Sequence, residues 1–218
     1  MKKNIIANII GKFWSVLSGF LFIPLYIKFL GFESYAVISF TLIVAGMMAV
    51  LDAGLTATLS REFARKDQLH EEKIRVFRTL ETCYFLIIIF ITTFIFFFSS
   101  SIANNWLNLK TLDPERVSFF IKIIGFEAGF QMLFRFYMGG VLGFEKQVEA
   151  NMFQVGWGML RNGLVVLAIY FIPSLEIFFI WQLVSTIIFT IIMRSVLLKI
   201  LNGKYSFGFK PNFEKKVF

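Results

Sequence analysis

Cysteine and histidine occur once each in this chain, at Cys83 and His70. One cysteine excludes an intramolecular disulfide framework and a cysteine-based metal cluster. One histidine argues against a histidine metal site or a catalytic triad. An acidic metal cluster and a glycine-rich phosphate loop of the usual spacing are also missing. The residue sets that carry enzymatic chemistry are therefore lacking. Neither an enzyme nor a cofactor is expected.

What the chain has in excess is hydrocarbon. Of its 218 residues, 57% are apolar and 30 are Phe, against roughly 45–50% apolar in a soluble domain. A soluble fold could not hide that much Phe, Ile and Leu. The net charge of +8 would point to nucleic acid in another setting. Here the placement of charge is more telling than its sum, and no nucleic-acid partner is expected.

A helix of about 20 apolar residues crosses a bilayer. Six segments qualify, near 8–30, 34–55, 79–100, 117–141, 149–172 and 175–198. Turn and charge signals separate them: Gly31-Phe32-Glu33, the run from Arg61 to Arg78, Asn104-Asn105, Asp113-Pro114, Gly143 to Lys146, and Pro173. Asp113 before Pro114 reads as an N-cap followed by proline at the first helical position. The first segment is too long for a cleavable signal peptide, and Lys28 follows Pro24 and Tyr26 where a small-residue cleavage site would stand. The expected fold is all-α: a polytopic membrane helix bundle of about six spans in residues 1–202, then a cytoplasmic tail or linker over 203–218.

Lysine and arginine set the expected orientation. With the N-terminus inside, sixteen of the 22 basic residues, Arg194 among them, fall on the inner side and three (Lys28, Lys110, Arg116) on the outer. Lys122, Arg135 and Arg161 lie within spans. Both termini are thus expected in the cytoplasm. The Arg61–Arg78 stretch is too polar to span. It is expected to form one or two short helices at the cytoplasmic face, its basic residues near anionic headgroups, or to serve only as a topogenic loop.

A charge at bilayer depth costs about 2.5–3.5 kcal/mol even on lenient scales, so it faces a partner or a water-filled cavity. The fourth segment carries Glu127, Gln131 and Arg135 at i, i+4, i+8, one helix face. The fifth carries Asn151, Gln154, Gly158 and Arg161. A short turn joins the two segments, so they are antiparallel neighbours. Counting inward places Glu127 level with Arg161, and Arg135 level with Gln154. Either Glu127 and Arg161 only tie two helices together, or the two polar ladders wall a hydrated cavity. Arg135 lacks an acidic partner at its level and is the stronger candidate for an anionic ligand, with snorkelling to the interface as the alternative. Lys12, beside Asn8 and Ser15 on the first segment, is a weaker lumen candidate. Gln182, Ser185, Thr186 and Thr190 make the sixth segment mildly polar. Asp52 and Arg61 are candidates for a pair at the cytoplasmic mouth. Gly125 and Gly129 form a GxxxG pattern for close helix approach. Pro24 is a candidate kink.

The stretches IPLYIKFLGFESYAVISF, AVLDAGLTATLSREFAR, RTLETCYFLI and FYMGGVLGFEKQVEANMFQVGWGMLRNGLVVLAIYFI resemble polysaccharide biosynthesis flippases of the multidrug/oligosaccharidyl-lipid/polysaccharide exporter superfamily. The resemblance runs over essentially the whole chain. Its more specific parts are Asp52, Gly54, Leu55, Arg61 and Glu62, and the series Gly143 to Gln147, Asn151 and Arg161. Ala36 stands where the family usually has Gly. Members of the family have twelve or more spans in two six-helix lobes, so this chain resembles an N-terminal lobe, its end FGFKPNFEKKVF resembling the inter-lobe linker.

The resemblance implies translocation of undecaprenyl-pyrophosphate-linked oligosaccharide across the bacterial inner membrane by rocking of two lobes. A second lobe or a second copy of the chain is then the expected partner. Arg135 and Arg161 would hold the headgroup, since arginine offers forked donors to phosphate. Asn151, Gln154 and Gln131 would bond sugar hydroxyls, and Glu127 would bind a coupling cation or orient Arg161. A drug or small-cation exporter lobe, which would favour acidic lumen residues, and a non-transporting subunit of a polysaccharide assembly complex are the alternatives.

Overall fold

The computed structural model describes residues 9, 11, 13, 14 and 17–202, apart from 53, 68 and 108. The fold is an all-α helix bundle, with no strand among the described residues. Its helices are α1 (Ile23–Leu30), α2 (Phe32–Leu51), α3 (Leu55–Ala64), α4 (His70–Asn105), α5 (Pro114–Gly143), α6 (Gln147–Gly158), α7 (Val165–Phe171) and α8 (Leu175–Asn202), with a π-helical turn at Met159–Leu164 between α6 and α7. Five helices are long and apolar enough to cross a membrane: α2, α4, α5, the continuous rod Gln147–Phe171, and α8. The chain is a membrane-spanning helix bundle by this measure. The first expected span is described only in part, as the shorter apolar stretch Leu17–Leu30.

Helix α5 is the centre of the bundle. Of its most apolar window 72% is buried, against 17% for α4 and 17% for the Gln147–Phe171 rod. The other helices therefore turn large side chains such as Phe90, Phe97 and Phe171 outward, which lipid tolerates and water would not. The GxxxG pattern is a packing device. A Cβ on Gly125 would strike Ile95, and one on Gly129 would strike Ile88, so α4 lies close along this face. At the other end of α5, a Cβ on Gly143 would sit 2.6 Å from the Ser60 carbonyl oxygen. Only glycine lets α3 lie there.

The Arg61–Arg78 stretch is only partly a pair of short helices. Its first part is the end of α3, with Leu59 and Phe63 buried. Its second part is the start of α4, which runs unbroken for 36 residues, about 54 Å at 1.5 Å per residue. That exceeds the ~30 Å hydrocarbon core, so one end of α4 stands clear of the span. The Lys73 ammonium folds back and donates to the carbonyls of Phe63 at 2.9 Å and Arg65 at 2.6 Å. It thereby satisfies orphan carbonyls at the end of α3.

Other boundaries follow local chemistry. Asp113 caps α5, its carboxylate accepting from the Glu115 N–H at 3.3 Å, with Pro114 next. Gly31 ends α1 at φ 86°, a left-handed value that favours glycine. Pro24 stands in the first turn of α1, just after a break at Phe22, so it restarts a helix rather than bending one.

At the Gly31 end, the Glu33 carboxylate accepts from the backbone N–H groups of Lys110 (2.8 Å), Thr111 (3.0 Å) and Leu112 (3.1 Å), and from the Thr111 hydroxyl. Arg116 pairs with Glu176 at 2.5 Å nearby. These contacts tie α2, the α4–α5 connection, α5 and α8 together at one end of the bundle.

Candidate functional site

The two ladders meet at Glu127. Its carboxylate is 1% exposed and Oε1 collects four donors: Arg161 Nε and Nη2, both at 2.9 Å, Gln131 Nε2 at 2.7 Å and Thr186 Oγ1 at 3.2 Å. Equal depth on antiparallel helices thus brings Glu127 and Arg161 together. A buried ion pair is tolerated only when further hydrogen bonds complete it, and Gln131 and Thr186 supply them. Trp157 covers the Arg161 guanidinium at 5.4 Å and donates to Thr186 at 3.4 Å.

Arg161 sits in the π-helical turn. A π turn breaks the regular hydrogen-bond ladder, and inside a bilayer each freed carbonyl needs a protein partner. Three side chains provide them. Trp181 Nε1 donates to the Leu160 carbonyl at 2.8 Å, Gln182 Nε2 to that of Arg161 at 3.1 Å, and the Tyr26 hydroxyl to that of Asn162 at 2.7 Å. Asn162 Oδ1 also accepts from Arg161 Nη1 at 3.1 Å. The turn is thus held by α1 and α8.

Two cavities flank this network. One, of about 320 Å³, is lined by Tyr26, Tyr35, Ser39, Thr41, Arg161 and Gln182 among others. The other, of about 170 Å³, is lined by Ala45, Met48, Asp52, Thr56, Tyr84, Gln131 and Arg135 among others. Gln131 bridges the two sides, since it lines the second cavity and bonds the partner of Arg161.

Arg135 is exposed, with no hydrogen-bond or ion-pair partner among the described residues. The Asp52 carboxylate lines the same cavity.

The remaining candidates divide. Asp52 does not pair with Arg61. Its carboxylate accepts from the Thr56 hydroxyl at 2.8 Å, and that hydroxyl lies 2.5 Å from the Tyr84 hydroxyl. Arg61 points outward and pairs with its neighbour Glu62 at 3.3 Å. Nine residues of sequence separate Asp52 from Arg61, but α3 starts inside that interval and carries Arg61 away. Asn151 is buried against the first segment, where a Cβ on Gly11 would strike it, and it donates to the Gln147 carbonyl at 2.7 Å. Gln154 is half-buried and makes no side-chain hydrogen bond among the described residues. Lys12, with Asn8 and Ser15, lies outside the described residues.

A second buried charge cluster was not foreseen. Glu81 of α4, 1% exposed, accepts from Arg194 Nε at 2.8 Å and from the Tyr137 hydroxyl at 2.8 Å. Arg194 also reaches Glu81 Oε2 at 3.3 Å through Nη2. Arg194 is therefore a bundle residue, not one of the inner-face cations with which its sequence position groups it. The depth counting that aligns Glu127 with Arg161 also aligns these residues. Glu81 lies two residues inside one expected span, and Arg194 four residues inside another.

Comparison with family models, with curated proteins and with solved structures gives no match to this chain.

Proposed function

We propose that this chain is one lobe of a flippase that moves undecaprenyl-pyrophosphate-linked oligosaccharide across the bacterial inner membrane for surface polysaccharide synthesis, with both termini cytoplasmic. The observation that carries the reading is Arg135: an exposed guanidinium with no hydrogen-bond or ion-pair partner among the described residues, on the wall of a cavity in an apolar bundle. A pyrophosphate headgroup supplies the missing anion, and the planar guanidinium matches its oxygens. Gln131, Asp52, Thr56 and Tyr84 line the same cavity and offer hydrogen bonds to sugar hydroxyls. A second lobe, or a second copy of this chain, forms the facing wall and shields Arg135 from hydrocarbon.

Glu127 and Arg161 take a supporting part in this reading. Their charges are spent on each other and on the π-helical turn. A drug or small-cation exporter gains less support, because the one acidic group at mid-depth on the two ladders is already engaged by four donors at a single oxygen.

The test is surface polysaccharide export by Arg135→Ala and Arg135→Lys variants in a functional two-lobe context. Export is expected to be lost with Ala and partly kept with Lys, which keeps the charge but not the forked donors. Normal export by Arg135→Ala at normal membrane abundance contradicts the reading.

A further inference from the structure

An apolar groove of about 370 Å³ separates α2 from α4. Phe40, Val44 and Leu51 line one side, and Phe90, Phe94 and Phe98 the other. Among the described residues that line it, the Trp106 indole is the one side chain with a polar atom. It is not a separate feature from the Arg135 cavity: Met48 lines both. A pocket that carries Arg135 and Asp52 and a hydrocarbon slot therefore adjoin, with one methionine between them. That juxtaposition has the polarity of a single amphipathic ligand.

We infer that the groove seats the hydrocarbon chain of a polyisoprenyl phosphate or pyrophosphate whose headgroup is held at Arg135. This rests on the flippase reading above and adds the chain-binding site to it. Three observations favour this occupant. Arg135 needs an anion and has no protein partner among the described residues, while the Asp52 carboxylate is already engaged by Thr56 at 2.8 Å. The groove walls are aromatic and aliphatic throughout, and Phe90 and Phe94 are 72% and 49% exposed, so the slot is open to a hydrocarbon chain that packs against its walls. The groove is also long. From Phe90 to Trp106 it follows α4 for about 24 Å, and from Phe40 to Leu51 it follows α2 for about 16 Å, at 1.5 Å per residue. A single leaflet offers about 15 Å of hydrocarbon. A chain seated along the groove thus runs past the midplane, which suits a long isoprenoid better than an acyl tail whose headgroup stays at the interface.

The experiment is photolabelling. The full chain in nanodiscs of phosphatidylethanolamine and phosphatidylglycerol is irradiated with a polyisoprenyl phosphate carrying a diazirine on its chain, and adducts are mapped by mass spectrometry. Adducts are expected on the α2 and α4 residues that face the groove. Unlabelled polyisoprenyl phosphate should compete, excess phosphatidylglycerol should not, and Arg135→Gln should lower the adduct yield about tenfold, or about 1.4 kcal/mol. Arg135→Lys, which keeps the charge, should retain most of it, which separates charge from folding. Adducts confined to other helices overturn the inference. Equal competition by phosphatidylglycerol also overturns it, marking an annular lipid site, as does a yield indifferent to Arg135→Gln. Groove labelling in a protein that exports nothing would sink the flippase reading alone. Arg135-dependent export with adducts elsewhere would sink the groove alone.

Discussion

Arg161 in the π-helical turn and Glu127 at the middle of α5 lie 2.9 Å apart, and through them the least regular part of the bundle is fastened to its most buried helix. Removing one partner leaves a buried charge unpaired, at a cost of about 3–5 kcal/mol. An ordinary hydrogen bond between membrane helices averages only about 0.6 kcal/mol. Glu127→Gln and Arg161→Met are each expected to lower stability in micelles by the larger amount. The double variant should recover much of the loss. A double-mutant cycle on denaturant unfolding measures this, and additive effects would show that the pair contributes no coupling.

The Glu81–Arg194–Tyr137 cluster divides into a charged and a neutral part. Glu81→Ala strands the Arg194 guanidinium, whose side chain is 15% exposed, and should again cost about 3–5 kcal/mol. Tyr137→Phe removes one hydroxyl donor from a carboxylate that Arg194 still satisfies, and should cost about 1.5–3 kcal/mol, the range for bonds to charged groups. Thermal unfolding of the two variants should rank them in that order. The reverse order would show that the tyrosine hydroxyl, not the Arg194 ion pair, is the main support of the Glu81 carboxylate.

Three glycines should respond differently to one methyl group. Gly143→Ala meets the Ser60 backbone at 2.6 Å and must push α3 aside, so a clear loss of stability is expected. Gly129→Ala meets only the Ile88 side chain and should cost less. Gly46→Ala meets nothing and should stabilise α2 by about 0.5–1 kcal/mol through helix propensity. Equal effects at Gly143 and Gly46 would contradict the close approach of α3 to α5.

Glu33 holds a loop. Its carboxylate accepts three consecutive backbone N–H groups from Lys110 to Leu112. Glu33→Ala should raise amide hydrogen exchange at these residues by an order of magnitude or more, since each N–H loses its acceptor. Exchange unchanged at Lys110–Leu112 would place the ordering of this loop elsewhere.

The helical class and the longer spans were legible because about 20 apolar residues between charged breaks have one physical solution in a bilayer. The Glu127–Arg161 pair was legible for a related reason, since a short turn fixes two antiparallel helices in register and depth follows by counting. Asn151 and Arg161 diverge because the π-helical turn lies between Asn151 and the end of the rod. A ladder drawn at a constant 3.6 residues per turn puts both on one face, whereas Asn151 turns to the first segment. The turn left no clear signature beyond Gly156, Gly158 and Gly163 nearby. The Asp52–Arg61 pair failed for a local reason, as Thr56, one turn on from Asp52, and Glu62, next to Arg61, offer nearer partners.

The account turns on Arg135 as the anion site. Binding of undecaprenyl pyrophosphate to the purified full chain, read by native mass spectrometry across a lipid titration, tests that most directly. Arg135→Gln is expected to weaken binding about tenfold or more, about 1.4 kcal/mol. Lys122→Gln should leave it unchanged, because Lys122 lies over the Phe96 ring at 4.7 Å, away from the cavity. Equal affinity in wild type and Arg135→Gln would contradict the account.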